Sequence, residues 1–308
     1  MKATNLIKLT ALFIAVVSLS LTGCKKNQNG ANADPSSLQQ LAADQNQYQN
    51  ASDEAMNDVN NLLSQGSLKS TDQLPCNATI DSTTIQNDSI TLHITYNGLS
   101  CNGKKFRTGQ VDIKHRVGMH WGEQGAAVIV TFINFKVTKV ANNKTITLNG
   151  TRTHQNVSGG HLWMLGNTRT SIVYKTWGSM SILFDDNTTR NWNVARQQTY
   201  TGVLTNLILT VDGFGQSGTY TGLVVWGVNR QGENFYSQIQ QSVVYKQTCD
   251  WDPVSGIQLH SIPGDNKSAL VTFGYNSNNQ PIGTGECPTK YKVDWTKNNQ
   301  SGTVYLWL

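Results

Sequence analysis

The chain carries, at residues 219–245, the consecutive segments TYTGLVVWGV, NRQGE and NFYSQIQQSVVY. The first and third segments are rich in β-branched and aromatic residues, which are typical of strands. The five residues between them run from Asn229 to Glu233, contain Gly232 and are polar, as expected for a short hairpin connection. This stretch therefore predicts two antiparallel strands joined by a tight loop.

The alternation of apolar and polar residues extends outward from this hairpin, from about Ala78 to the C-terminus. Residues 90–96 alternate strictly, which is typical of a strand with one buried face. Residues 126–137 are apolar on both faces, which predicts a strand in the middle of the sheet or between layers. Further strands are predicted at residues 111–117, 144–151, 170–177, 180–184, 191–196, 204–211, 270–275, 291–295 and 303–308.

Turn-forming pairs such as Asn97-Gly98, Asn149-Gly150 and Asp212-Gly213 separate these strands, because both residues of each pair tolerate positive φ. No helical segment lies between any two predicted strands, so no parallel crossover is expected. The sequence therefore predicts an all-β fold, an antiparallel meander of about twelve strands that forms a sandwich or a partly open barrel. One N-terminal α-helix accompanies it.

That helix is predicted at residues 34–66, since Asp34-Pro35 is typical of a helix start and Gly66 of a helix end. Its apolar face repeats at steps of three and four residues. The face consists of Leu38, Leu41, Gln45, Tyr48, Ser52, Ala55, Val59 and Leu62. We expect the helix to pack on the β domain at residues 67–308; dimerisation through the same face is the alternative.

The first 23 residues have a cationic start, an apolar run from Leu9 to Leu21 and small residues before a cysteine, as a secretory signal does. The apolar run is too short to span a membrane. Leu21-Thr22-Gly23-Cys24 resembles the bacterial lipobox. The resemblance implies cleavage after residue 23 and lipidation of Cys24, with residues 24–33 as a flexible tether.

The chain accordingly resembles Asn/Thr/Gly-rich all-β lipoproteins of the bacterial cell envelope. Lys25, rather than an aspartate, follows Cys24, which resembles lipoproteins sent to the outer membrane; we expect the periplasmic face in preference to the cell surface. The leader carries two lysines and no acid, so its removal lowers the formal charge of the chain from +5 to +3. So small a charge argues against a nucleic-acid partner.

With Cys24 lipidated, Cys76, Cys101, Cys249 and Cys287 remain as an even set in an oxidising compartment. Four cysteines allow three pairings. We expect Cys76 to pair with Cys101 and Cys249 with Cys287, because each pair brackets a short β-like stretch. Metal binding is the alternative, but the cysteines lack the close spacing of a zinc site.

Tryptophan and histidine supply the candidate ligand-binding residues. Trp226 and Trp295 share strand faces with apolar residues and are expected in the core. Four residues lie in Gly- and His-containing stretches and are the candidates for contact with a ligand such as a glycan: Trp121, Trp163, His120 and His161. The histidine spacings match no metal-ligand pattern on a strand, and we predict no metal and no cofactor.

Acidic pairs and nucleophile motifs would indicate a catalytic site. In the β domain at residues 67–308, the only local acidic pairs are Asp185-Asp186 and Asp250 with Asp252, all in expected turns. A Gly-x-Ser-x-Gly motif is absent from the sequence. We therefore expect a non-enzymatic binding or structural module for a glycan or an envelope partner, held at the membrane through Cys24. A lipid or lipoprotein carrier and a hydrolase of unknown type are the alternatives.

Overall fold

The computed structural model describes residues 36–64 and 74–308. These residues contain a single α-helix, α1, which spans Ser36–Ser64. Fifteen strands follow, each antiparallel to the strands that it pairs with. They are β1 (Ala78–Gln86), β2 (Ser89–Leu99), β3 (Lys105–Arg116), β4 (Ala127–Lys139), β5 (Thr145–Asn156), β6 (Ile172–Phe184), β7 (Thr189–Val203), β8 (Asn206–Gly213), β9 (Gly215–Ser217), β10 (Tyr220–Val228), β11 (Asn234–Lys246), β12 (Asp252–Ile262), β13 (Lys267–Tyr275), β14 (Lys290–Lys297) and β15 (Gln300–Trp307).

The strands form one sheet in which most neighbours in sequence are neighbours in space, from β1 at one edge to β15 at the other. The exception lies in the middle, where β7 and β11 each pair with both β8 and β10, so that these four strands close on themselves. The predicted all-β antiparallel fold with one N-terminal helix is confirmed. The hairpin at residues 219–245 is also confirmed, as β10 and β11.

Helix α1 lies against the concave face of this sheet. All eight residues of the predicted apolar stripe are buried, and 16 of the 29 helix residues are buried in total. Three tyrosine hydroxyls from distant strands donate to the helix. These bonds join Tyr96 of β2 to Asp58, Tyr200 of β7 to Asn57 and Tyr245 of β11 to Gln49, at 3.2, 3.0 and 3.2 Å. A sheet that reaches one helix from β2 and from β11 is strongly curved.

Three fully buried arginines on the inner face of the sheet also hold α1. Arg107 donates to Asp58 at 2.8 Å, Arg152 donates to Ser52 at 2.7 Å, and Arg196 forms two bonds with Asp53. A buried guanidinium needs a partner because burial removes its hydration. The helix supplies those partners, so the interior of the sheet depends on α1 for polar contacts as well as for apolar packing.

Several strand and turn assignments from the sequence are wrong. The pairs Asn97-Gly98 and Asn149-Gly150, predicted to separate strands, lie inside β2 and β5. Residues 170–177 and 180–184 belong to one continuous strand, β6, and Gly178 does not interrupt it. A Cβ at Gly178 would lie 2.3 Å from the carbonyl oxygen of Thr151, so glycine is there to let β5 come close. Asp252 opens strand β12 instead of lying in a turn. Pro253 and Gly256 resemble strand breakers in the sequence, and they obscured that strand.

Both predicted disulfides are confirmed. Cys76 pairs with Cys101 and Cys249 with Cys287, with Cα atoms 5.2 and 5.3 Å apart. The first bond links the start of β1 to the β2–β3 loop, and the second links the start of β12 to the segment before β14. Each bond therefore fixes a loop at one end of the sheet.

The predicted signal peptide, the lipidated Cys24 and the tether lie outside the described residues, as do the boundary residues 34, 35 and 65–73. Within residues 36–64 and 74–308, no helix combines the length and the apolar character needed to cross a membrane.

Candidate functional site

A shallow cleft with a volume of about 440 Å³ lies on the outer, solvent-facing side of the sheet, where β5, β6, β7 and β10 run side by side. Three aromatic side chains line it. Trp177 and Phe214 are 37% and 38% exposed, and Trp226 is half-buried. The rings of Trp177 and Phe214 meet edge to face at 6.3 Å between centroids. Large aromatic surface is therefore left in contact with water.

The register of the strands explains how the cleft forms. Trp177 on β6 lies opposite Ala195 on β7, and Asn193 on β7 lies opposite both Ser179 on β6 and Trp226 on β10. Because alternate residues of a strand point to the same face, these side chains share the outer face of the sheet. Ala195 is small, so the floor stays low between the two tryptophans.

Gly215 places the third wall of the cleft. A Cβ at this position would lie 2.5 Å from the ring of Trp226, so only glycine leaves room for the indole beside the backbone. The preceding residue, Phe214, donates its backbone N–H to the carbonyl oxygen of Ala195 at 3.2 Å. The link between β8 and β9 is thereby held across the end of the cleft.

Polar groups lie between the aromatic rings. The Ser179 hydroxyl donates to the Asn193 side-chain oxygen at 2.7 Å. Within the described part of the chain, the Asn193 amide nitrogen has no hydrogen-bond acceptor and is available to a ligand. Among the residues that the structure describes, Lys175 is the only charged one that lines the cleft, and its ammonium lies 5.0 Å from the centre of the Phe214 ring.

The prediction that Trp226 is a core residue is wrong. It is half-buried on the outer face, whereas Trp295 packs against the core as predicted. The reason is a bulge in β10, where the pairing with β11 shifts between Leu223 and Val225. A bulge adds a residue to one strand, so the faces assigned by counting in steps of two no longer hold beyond it.

The four candidate ligand residues from the sequence lie elsewhere. Trp121 is only 3% exposed and stacks between His154 and Tyr174, at 5.2 and 5.6 Å between ring centroids. Its burial leaves no indole surface for a ligand. Trp163 is 57% exposed and stacks on His161 at 5.7 Å, so the two tryptophans do not line a common cleft.

His120 and His161 differ in environment. His120 is exposed, while His161 lies over Gly122, where a Cβ would be 2.5 Å from its Nε2 atom. Partial burial lowers the pKa of His161 below its usual value. Within residues 36–64 and 74–308, no three His, Cys, Asp or Glu side chains come together as metal ligands would.

The acidic pairs named from the sequence serve mainly as ion-pair partners. Asp185 and Asp186 both contact Arg230, at 2.5 and 3.2 Å, and that arginine also binds Asp44 of α1 at 2.7 Å. Asp250 pairs with Lys104 at 2.5 Å. Asp252 is different: it makes no ion pair within the described residues and lines a separate cavity.

The outer cleft was missed in the sequence because Phe214 and Trp226 come from segments that a bulge and a short loop displace. The alternation in β6 could have identified Trp177 as outward-facing. Tyr174 and Thr176 face inward, so Lys175 and Trp177 share the opposite face. No family model, curated protein or solved structure matches this chain. We therefore infer the function from the chemistry of the cleft itself.

Proposed function

We propose that this chain is a non-enzymatic envelope module that binds a glycan on the outer face of its sheet. The observation that carries the proposal is the cleft formed by Trp177, Phe214 and Trp226, with the free amide of Asn193 between them. The lipobox-like Leu21-Thr22-Gly23-Cys24 supports attachment to the outer membrane through Cys24.

Sugar rings suit this cleft for two reasons. Their C–H faces are apolar enough to stack on aromatic rings, which supply large rigid contact area with few rotatable bonds. Their hydroxyls accept and donate hydrogen bonds of the kind that Asn193 and Ser179 offer. A shallow open groove also admits an internal segment of a long polymer, which a closed pocket would exclude.

The charge of the cleft favours a neutral glycan. In the described part of the chain, Lys175 is the single charged lining residue, and its ammonium lies over the Phe214 ring. A strongly acidic polysaccharide would require several cationic groups along its path. We therefore expect neutral sugars to bind better than uronic-acid polymers.

A lipid carrier, the second function considered from the sequence, requires an apolar cavity inside the curved sheet. Helix α1 occupies that interior, and its buried side chains are bonded to strands from β2 to β11. The outer cleft is too shallow to enclose an acyl chain. The arrangement of the described residues thus favours glycan binding over acyl-chain transport.

Replacing the cleft tryptophans is expected to remove binding. A soluble protein lacking residues 1–24 is screened on a glycan array and against envelope polysaccharides, and the best ligand is titrated by calorimetry. Trp177→Ala and Trp226→Ala should each weaken binding at least about tenfold, or ~1.4 kcal/mol, because each removes a stacking surface.

Trp163→Ala is the matched control, since Trp163 is an exposed tryptophan outside the cleft. It should leave the affinity unchanged, and the melting temperatures of all variants should be compared to exclude unfolding. The proposal fails if the array and the polysaccharides show no ligand, or if Trp163→Ala weakens binding as much as the cleft variants do.

Attachment to the membrane is tested in bacterial cells that express the full chain. Cys24→Ala should abolish incorporation of labelled palmitate and move the protein from the membrane fraction to the soluble one, because the thiol that would accept the lipid is lost. Cys76→Ala is the control for cysteine replacement and should still incorporate the label. Label retained in Cys24→Ala would contradict the assignment.

A further inference from the structure

A second and larger cavity, of about 720 Å³, lies at one end of the molecule, between α1 and the loops that follow β2, β4 and β11. We call it the end cavity. Its volume falls within the range usual for small-molecule sites. Within residues 36–64 and 74–308, it shares no lining residue with the outer cleft.

Nearly every charged side chain that lines the end cavity has an ion-pair partner. Glu54 pairs with Lys105 at 2.7 Å and Arg107 at 3.3 Å, Asp58 with Arg107 at 2.8 Å, Lys104 with Asp250 at 2.5 Å, and Asp53 with Arg196. Two side chains differ. Within the described residues, Asp252 and Lys139 form no ion pair, either with each other or with any other group.

Asp252 and Lys139 are both half-buried, so water only partly compensates their charges. A charged group that is removed from water is costly unless an opposite charge meets it. The two groups carry opposite charges, line the same cavity and stand too far apart to pair. A ligand with one cation and one anion would satisfy both.

The backbone beside Asp252 supports a specialised role for this cavity. Trp251 and Asp250 have φ values of 62° and 55°, in the left-handed region that bulky residues rarely adopt. The neighbouring Cys249–Cys287 disulfide and the hydrogen bond from Trp251 N–H to Lys246 O, at 3.0 Å, hold this turn. Such conformations concentrate at functional sites, and this one directs the Trp251 ring to the wall of the cavity.

We infer that the end cavity binds a small zwitterion of the amino-acid or short-peptide class. The Asp252 carboxylate receives the ligand ammonium and the Lys139 ammonium receives the ligand carboxylate. Trp251 and Leu209 contact the part between the two charges. The inference does not depend on the proposed glycan site, since the two sites have no residue in common.

The electrostatics of Asp252 make the site sensitive to pH. Burial raises the pKa of Asp252 to about 6, against the influence of Lys104, Lys139 and Lys105 and with a smaller contribution from Asp250. Burial also lowers the pKa of Lys139. Below pH 6 the Asp252 carboxyl is protonated, so affinity for an ammonium ligand should fall about tenfold per pH unit.

The test uses the soluble protein lacking residues 1–24, titrated by calorimetry at pH 7.5 with alanine and its unblocked di-, tri- and tetrapeptides. At least one of these should bind saturably. Blocking its amino group by acetylation, or its carboxyl group as an amide, should weaken binding at least about tenfold. Asp252→Asn should bind the unblocked peptide only as weakly as the wild-type protein binds its acetylated form. Lys139→Gln should bind the unblocked peptide only as weakly as the wild-type protein binds its amide.

Asp250→Asn is the matched control, because Asp250 lines the same cavity but is exposed and paired with Lys104. An exposed pair contributes little, so binding should change by less than about threefold. The inference is overturned if no unblocked ligand binds below about 10 mM, if blocking leaves affinity unchanged, or if Asp250→Asn and Asp252→Asn are equivalent. Wild-type-like melting temperatures of the variants exclude unfolding as the cause.

Discussion

Asp53→Ala is expected to lower the free energy of unfolding by about 3–5 kcal/mol, because it leaves the guanidinium of Arg196 buried without a partner. Arg196 is 2% exposed on the inner face of β7, and its two terminal nitrogens both bind the Asp53 carboxylate of α1. Its Nε atom already lacks a partner within the described residues. Urea unfolding followed by circular dichroism measures the loss.

The double variant Asp53→Ala, Arg196→Met separates the ion pair from packing. It removes the stranded charge and keeps an apolar side chain of similar length, so most of the stability lost in Asp53→Ala should return. Asp186→Ala is the surface control, since that carboxylate is exposed, and should cost less than about 1 kcal/mol. A cost below about 1 kcal/mol for Asp53→Ala would show that α1 does not neutralise Arg196.

The second large effect is acid destabilisation through two buried histidines. Burial lowers the pKa values of His154 and His260 to about 3. His154 is bonded on both sides, to Asn60 of α1 and to Thr176, each at 2.8 Å. His260 meets the Ser237 hydroxyl at 2.7 Å. Both rings are therefore held neutral in the folded chain.

The unfolded chain protonates these histidines below about pH 6.5, whereas the folded chain does so only near pH 3. Between these values the unfolded state binds more protons, so each histidine lowers stability as the pH falls, by about 1.4 kcal/mol per pH unit. Asp58 and Asp252 act in the opposite direction, because burial raises their pKa values to about 6. The net curve of the wild-type chain is consequently a poor test.

Comparison of the wild-type chain with His154→Gln isolates the histidine, since the other groups contribute to both curves. The stability advantage of the wild type should shrink by about 2.5 kcal/mol between pH 6 and pH 4. His260→Gln should behave in the same way. Unfolding curves at several pH values measure the difference, and curves that stay parallel from pH 7 to pH 4 would contradict the burial of a neutral ring.

The sequence predicts the architecture well, because alternation reports which face of a strand is buried. It located the hairpin at residues 219–245, the helix and both disulfides. It failed where local cues oppose the tertiary structure. Gly178 resembles a break but permits close strand pairing, and Pro253 and Gly256 resemble turn residues but lie in β12. Contacts between neighbouring strands of this kind are not visible in the local sequence of either strand.

The candidate sites were predicted less well for a related reason. Glycine and histidine near Trp121 suggested an exposed ligand site, yet the ring is stacked in the core. The outer cleft combines Trp177, Phe214 and Trp226 from three segments whose proximity follows from strand register. Asp252 is unpaired because no lysine lies within ion-pair distance of it in the described residues. Those distances are set by the tertiary structure and cannot be read from the sequence around Asp252.

The most direct test of the glycan proposal follows the indole N–H signals of the eight tryptophans by NMR while the best glycan is added. We predict that the signals of Trp177 and Trp226 shift together and saturably, while those of the buried Trp121 and Trp192 and the exposed Trp163 remain in place. Saturable binding that shifts Trp163 but neither Trp177 nor Trp226 would contradict a glycan site in the outer cleft, as would the absence of any bound glycan.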